Sequence, residues 1–226
     1  MPAVRLELGR RVRSCEGTDV GEVADVIIDP SKKRVTHLVV KPHHGHGDSR
    51  LVPIDTAEPD EASGTISLTC SADELHGLPG VEEFTFLRLG EAPVADPNWD
   101  LGVTDVLAYP YYESSGLVGY SEFQQDVGTV YDRIPKGEVE VRRASGVYAA
   151  DGHYVGDVDG FLVDADDQIT HLVLERGHLW GRREVTVPIG AVTKVETDIV
   201  TVGLSTAEIG ALPAHRVHRW LVFGGT

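Results

Sequence analysis

The amino-acid sequence predicts an all-β protein: two small six-stranded β-barrels with short helical turns, joined by an acidic, partly irregular segment. Three observations carry this. First, Thr36-His37-Leu38-Val39-Val40 returns as Thr170-His171-Leu172-Val173-Leu174, and Gly17, Gly21, Asp29 and Pro53 return as Gly152, Gly156, Asp164 and Pro188. The central strand pairs lie 134 positions apart and the flanking pairs 135, so one domain occurs twice. Second, each copy consists of short β-branched or alternating runs separated by Gly- and Asp-rich turns. Third, there is no long amphipathic helix pattern, and a sequence with that balance closes its sheets on themselves. The predicted divisions are 1–90 for the first domain, 91–137 for the joining segment and 138–226 for the second domain.

Each element has a local reason. In the first copy, Val4, Leu6 and Leu8 alternate with Arg5 and Glu7, the pattern of a half-buried strand. Val12 opens a second short strand, and Gly17 supplies the turn after it. Val20–Asp29 is a long β-branched run interrupted by Gly21, which marks a bend of the kind a small barrel needs at its corner. Pro30-Ser31-Lys32-Lys33 turns the chain into Val35–Lys41, and a loop then leads to Leu51–Ile54. Thr65–Thr69 follows. Ser71 with Glu74 has capping-box spacing and predicts a short helix, after which Phe84, Phe86 and Leu87 are expected to close the barrel. The second copy repeats the order: Val139 and Val141, the Gly152 turn, Val155–Asp164, Ile169–Glu175, Val185–Ile189, Ile199–Val202, and Ser205 with Glu208. Val217, Trp220, Leu221 and Val222 are expected to close it.

Charge is distributed unevenly. Of a net −16, residues 81–141 carry 3 basic against 12 acidic side chains, a net of −9, whereas 1–80 and 142–226 carry −4 and −3. A field of that sign repels phosphate backbones and anionic bilayers, so direct nucleic-acid binding is not expected. The apolar runs are far shorter than the ~20 residues that span a bilayer. With no signal-peptide pattern at Met1–Leu6, the expected location is the cytoplasm. Cys15 and Cys70 both fall in the first copy and read as reduced thiols. Within 91–137, Trp99, Tyr109, Tyr111, Tyr112 and Phe123 are too many aromatics for a plain solvated linker, and predict that part of it docks on a barrel.

The pattern Gly17…Val20-Gly21-x-Val23-x-Asp25-Val26-x-Ile28-Asp29, Val35-x-His37-Leu38-Val39-Val40 and Leu51-Val52-Pro53 resembles the PRC-barrel family. So does Asp151-Gly152-x-x-Val155-Gly156-x-Val158-x-Gly160-Phe161-x-Val163-Asp164, with Ile169-x-His171-Leu172-Val173-Leu174 and Val187-Pro188. The resemblance covers both copies and leaves the middle unexplained. It implies a six-stranded barrel that docks or scaffolds and has no shared catalytic motif. The family includes the H subunit of purple-bacterial photosynthetic reaction centres and the C-terminal barrel of a ribosome maturation factor. Neither the membrane helix of the former nor the N-terminal domain of the latter appears in this sequence, so those particular roles are not carried over.

Several residues invite a chemical reading. His43, His44 and His46 with Asp48 are a candidate metal cluster of imidazoles and a carboxylate, but the flanking glycines make the loop flexible, and an exposed polar hairpin tip is the preferred reading. His37 and His171 hold matching strand positions and read as partly buried, hydrogen-bonded residues. Asp157, Asp159, Asp164, Asp166 and Asp167 lack the helices and terminal Glu of a calcium loop and read as turn residues. There is no nucleophile elbow or phosphate loop. Arg10-Arg11 and Arg142-Arg143 read as basic spots that are solvated or paired with nearby acids. The preferred protein-contact residues are His178, Trp180, Arg182 and Arg183 on a hairpin, with Tyr111 and Tyr112, because Trp, Tyr and Arg dominate binding hot spots.

The functional expectation is a non-catalytic adaptor that binds a protein partner through barrel loops and strand edges, with no cofactor and no membrane insertion. The two barrels form an intramolecular pseudo-dimer, and a homodimer of whole chains is left open. The alternatives are a small-molecule or metal-binding regulator using the His43–His46 loop, and a ribosome-assembly accessory contacting ribosomal protein.

Overall fold

A computed structural model describes residues 4–43, 49–60, 63–88, 98–107, 126–143, 145–176, 183–196 and 198–216. The first repeat contributes β1 (Val4–Glu7), β2 (Arg11–Arg13), β3 (Asp19–Asp29), β4 (Arg34–Lys41), β5 (Arg50–Pro53), β6 (Ala57–Asp60), β7 (Thr65–Leu68) and α1 (Ala72–Gly77). Next come β8 (Glu82–Arg88), β9 (Trp99–Leu107) and β10 (Asp126–Pro135). The second repeat supplies β11 (Val139–Arg142), β12 (Gly146–Tyr148), β13 (Tyr154–Val163), β14 (Ile169–Arg176), β15 (Arg183–Pro188), β16 (Val192–Glu196), β17 (Ile199–Val202), α2 (Thr206–Ala211) and β18 (Ala214–Arg216). The repeat extends to detail. Ser71 and Ser205 cap α1 and α2 through reciprocal capping boxes with Glu74 and Glu208. At Gly21 (φ +154°) and Gly156 (φ +149°) a Cβ would strike the backbone carbonyl of Lys41 or Glu175 on the adjoining strand, so each long strand can bend there only at a glycine.

Strands β5-β4-β3-β2-β7-β6 form one curled sheet and β16-β17-β12-β13-β14-β15-β18 another, giving two half-barrels. The first strand of each repeat then leaves home. β1 runs antiparallel to β13, with Val4 opposite Val163 and Leu6 opposite Phe161. β11 runs antiparallel to β3, with Val139 opposite Ile28 and Val141 opposite Val26. Shifting every number by 135 converts one register into the other, so the exchange is reciprocal about a pseudo-two-fold relation. The hairpin tips meet across the same relation: Val35 N donates to Asp167 O (3.1 Å) and Ile169 N to Lys33 O (2.8 Å). Alternation in Val4–Leu8 marks a strand with one buried face, and either sheet satisfies that pattern. The sequence therefore predicts the strand without predicting its host.

The exchange fuses the interiors. Leu6, Val26, Leu38 and Ile66 of the first repeat belong to one continuous cluster with Val141, Phe161, Leu172 and Val200 of the second. Each such side chain contributes roughly 1.5–3 kcal/mol by leaving water. A smaller cluster covers the opposite face of the first sheet, where Ile27, Val39 and Leu51 meet Val81 and Ile134, with Trp99 packed against them. The Arg133 guanidinium lies 4.8 Å from the Trp99 ring centroid, a cation–π contact. Trp99 thus docks as its aromatic character predicts, while Tyr109, Tyr111, Tyr112 and Phe123 lie outside the described residues. The joining segment is partly sheet: β9 pairs with β10, and β10 with β8. This alters the expected role of residues 84–87. They do form a strand, but it joins that three-stranded sheet instead of closing the first half-barrel. Pro79–Val81 lines the β5 edge in its place, through Leu51 N to Pro79 O and Val81 N to Ser49 O, both 2.9 Å. In the second repeat β18 pairs with β15.

Candidate functional site

A cleft opens beside the turn that returns the exchanged strand β1 to its own repeat. It measures about 540 Å³ and is lined by Glu7, Leu8, Gly9, Arg10, Arg11, Arg13 and Arg143, with Ser63, Gly64 and Thr65 from the β6–β7 turn. Local rules place these groups. Strand β2 buries Val12 and so turns Arg11 and Arg13 outward. Gly9 adopts φ +82°, and the Arg143 guanidinium rests where a Cβ would otherwise stand. Arg10 points the other way: its side chain is 9% exposed, Nη1 donates to Arg5 O at 3.0 Å, and Nε lies 3.7 Å from Glu7 Oε2. That Nε is buried and makes no hydrogen bond among the described residues. None of the ion pairs among the described residues involves Arg11, Arg13 or Arg143.

The pseudo-symmetric place on the second half-barrel has different chemistry. Arg11 corresponds to Gly146, Arg13 to Tyr148 and Thr65 to Ile199, from the parallel pairings of β2 with β7 and of β12 with β17. Tyr148 and Tyr154 meet edge to face with centroids 5.9 Å apart. Tyr154 is 55% and Ile199 41% exposed, the exposed large hydrophobics among the described residues. Gly146 lies between them, its missing Cβ leaving room for the Tyr148 ring at 3.1 Å. The Tyr154 phenol is pushed up to about 12, by partial burial and then by its hydrogen bond to Asp157.

A third group of ionisable side chains secures the exchange. Arg5, carried on β1, reaches Glu184 Oε2 at 2.6 Å and Asp159 Oδ2 at 3.3 Å, and its Nε lies 2.8 Å from Glu7 Oε1. Burial opposes the Arg5 charge, but Glu184, Glu7 and Asp159 outweigh it and hold the guanidinium above its usual pKa. Its counterpart on β11 is Glu140, which is buried and meets Arg142 Nε at 3.0 Å. Sequence reading missed this cluster and the cleft alike, because each joins residues of the first strands to residues more than a hundred positions away. The signal that was available is Gly160: a glycine within a strand marks a close backbone approach, and here a Cβ would collide with the Leu6 carbonyl of β1.

Among the residues singled out from sequence, His43 is exposed with Nε2 3.4 Å from Asp19 Oδ1, while His44, His46 and Asp48 lie outside the described residues. Arg183 opens β15 and is exposed; His178, Trp180, Arg182, Tyr111 and Tyr112 lie outside the described residues. His37 and His171 are both half-buried, each with Nδ1 3.1 Å from the hydroxyl of the preceding threonine. His37 also faces Glu138 Oε2 at 3.6 Å. Its pKa is lowered, chiefly by burial, with Glu138 pulling the other way. Asp29 is held far below the ordinary carboxylate range by hydrogen bonds from Ser31 and Lys32, and Asp164 accepts from Asp166 N and Gln168 N at 3.0 Å, so both act as turn formers. Cys15 and Cys70 are free thiols. No helix among the described residues is long and apolar enough to cross a membrane.

Two repeated half-barrels, with their recurring residues placed in core, turns and caps, define a tandem small-barrel module. The PRC-barrel domain matches residues 8–75 and again 143–208, more than half of the chain. The chain belongs to the PRC-barrel family. No curated protein matches it. Both matched segments begin just after an exchanged strand, so β1 and β11 fall outside them.

Proposed function

We propose that the chain is a cytoplasmic, non-catalytic adaptor that binds another protein through the edges and loops of its half-barrels. One observation carries this reading. At the edge of the second half-barrel, Tyr154 and Ile199 stand exposed beside Tyr148, while the same backbone positions in the first half-barrel hold polar groups. Tyrosine combines a large apolar contact area with a hydroxyl that bonds at the rim, and interfaces are enriched in it. The fold does not require these side chains there, since the other repeat is built without them. The partner is therefore a protein surface offering an apolar anchor.

The test is capture from the native cell with the full chain as bait, followed by reconstitution with the purified partner. A stoichiometric partner bound by the parent chain and lost on Tyr154→Ser with Ile199→Ser, in a protein of unchanged melting temperature, supports the adaptor and this surface. A partner retained undiminished by the double variant removes the surface, and capture of none removes the adaptor.

A further inference from the structure

We infer that the arginine-lined cleft beside the exchange seam is a binding site for a compact, multiply charged oxyanion, that is, a phosphorylated or polycarboxylate small molecule. Arg11, Arg13 and Arg143 converge on one cleft of about 540 Å³, within the ~300–1,000 Å³ range of small-ligand sites, and Arg10 adds its charge to the wall behind them. Crowding guanidiniums costs mutual repulsion that an anion relieves, and the planar fork of arginine matches carboxylate and phosphate oxygens two at a time. Glu7, the one acid among the described lining residues, is already engaged with Arg5 at 2.8 Å. Ser63 and Thr65 line the facing wall, their hydroxyls hydrogen-bonded to each other at 2.6 Å and that of Ser63 to Asp60 Oδ2 at 2.7 Å.

The pseudo-symmetric half shows that the fold has no need of this charge. Gly146 and Tyr148 stand where Arg11 and Arg13 stand, on strands of the same register. The arginines are thus an addition to one half of a repeated backbone. Net charge decides the size of the ligand. A chain carrying −16 repels an extended polyanion, whose far phosphates would meet the acidic surface. A compact anion lies wholly inside the basic cleft.

Titration calorimetry of the full chain at low salt, with pyrophosphate in one arm and citrate in the other, tests this. Saturable binding at one site per chain is expected in at least one arm, weakening as salt is raised. Pyrophosphate alone binding assigns a phosphorylated ligand, and citrate alone a carboxylate one. Arg11→Ser with Arg143→Ser should weaken binding at least about tenfold, a charge-assisted contact being the main term lost, while Lys194→Ser on β16 leaves it unchanged. If Arg143→Ser disturbs the fold, Arg11→Ser with Arg13→Ser serves in its place. No saturable binding of either anion, or equal affinity in parent and double variant, overturns the inference.

Discussion

In the second half-barrel the exchanged strand sets Arg5 upon Asp159 and Glu184. In the first, the exchanged strand brings in Glu140, and the positions matching Asp159 and Glu184 are Ala24 and Ser49. The backbones correspond residue for residue, yet the charges are not interchangeable. Were each strand to remain with its own repeat, Glu140 would fall where Arg5 lies, beside two carboxylates that are themselves nearly buried. Three acids would then share one poorly hydrated place. Arg5, for its part, would lose both partners. The asymmetry therefore selects the crossed arrangement over the uncrossed one, a discrimination the apolar residues cannot make because Leu6 and Val141 suit either sheet.

The sharpest way to break this comparison is Arg5→Ala, which removes the guanidinium that reaches both Asp159 and Glu184. A loss of about 3–5 kcal/mol is expected in urea unfolding. Glu140→Ala removes an acid from Arg142, which is partly exposed and still faces Asp198 at 3.7 Å, and should cost clearly less; equal losses would refute the charge argument. A second contrast uses the backbone. Gly160→Ala forces a methyl group against the Leu6 carbonyl and should cost about 1–3 kcal/mol. It should also speed amide exchange in β1 ahead of β2. Asp25→Ala, at the matching place where a side chain already fits, removes an acceptor for Arg143 N and should cost about 1 kcal/mol. Unchanged exchange in β1 of the Gly160→Ala protein would show that the close approach does not hold that strand.

The smallest effect concerns His37. Its folded pKa lies below the unfolded value of about 6.5, so the unfolded chain binds the proton more readily. The stability linked to His37 is then complete above the unfolded pKa and is lost as pH falls through the folded one. Unfolding of the parent chain between pH 7.5 and 5 should show this loss superimposed on that of the carboxylates, and His37→Gln should flatten it. An unaltered pH profile would mean that Glu138 offsets burial completely.

Much of the architecture is legible in the primary structure. The repeat, the bends at Gly21 and Gly156 and both capping boxes follow from local chemistry, and each is present. The host of β1 is not legible, since a period-two pattern names a buried face without naming the sheet that buries it. The fate of residues 82–88 is equally hidden, because β5 and β10 offer them the same kind of edge. The arginine cleft combines residues 10, 11 and 13 with residue 143, and nothing local to either stretch announces the other. Both read separately as solvated basic spots, and their meeting is a product of the crossed strands.

Because each sheet is completed by the first strand of the other repeat, a solitary repeat would carry an unfilled flank, and its readiest donor would be a twin of itself. The tandem chain can thus be viewed as a homodimer written into one molecule. Covalent linkage frees the two partners to diverge, so that guanidiniums can collect on one side and phenol rings on the other without either half losing its mate.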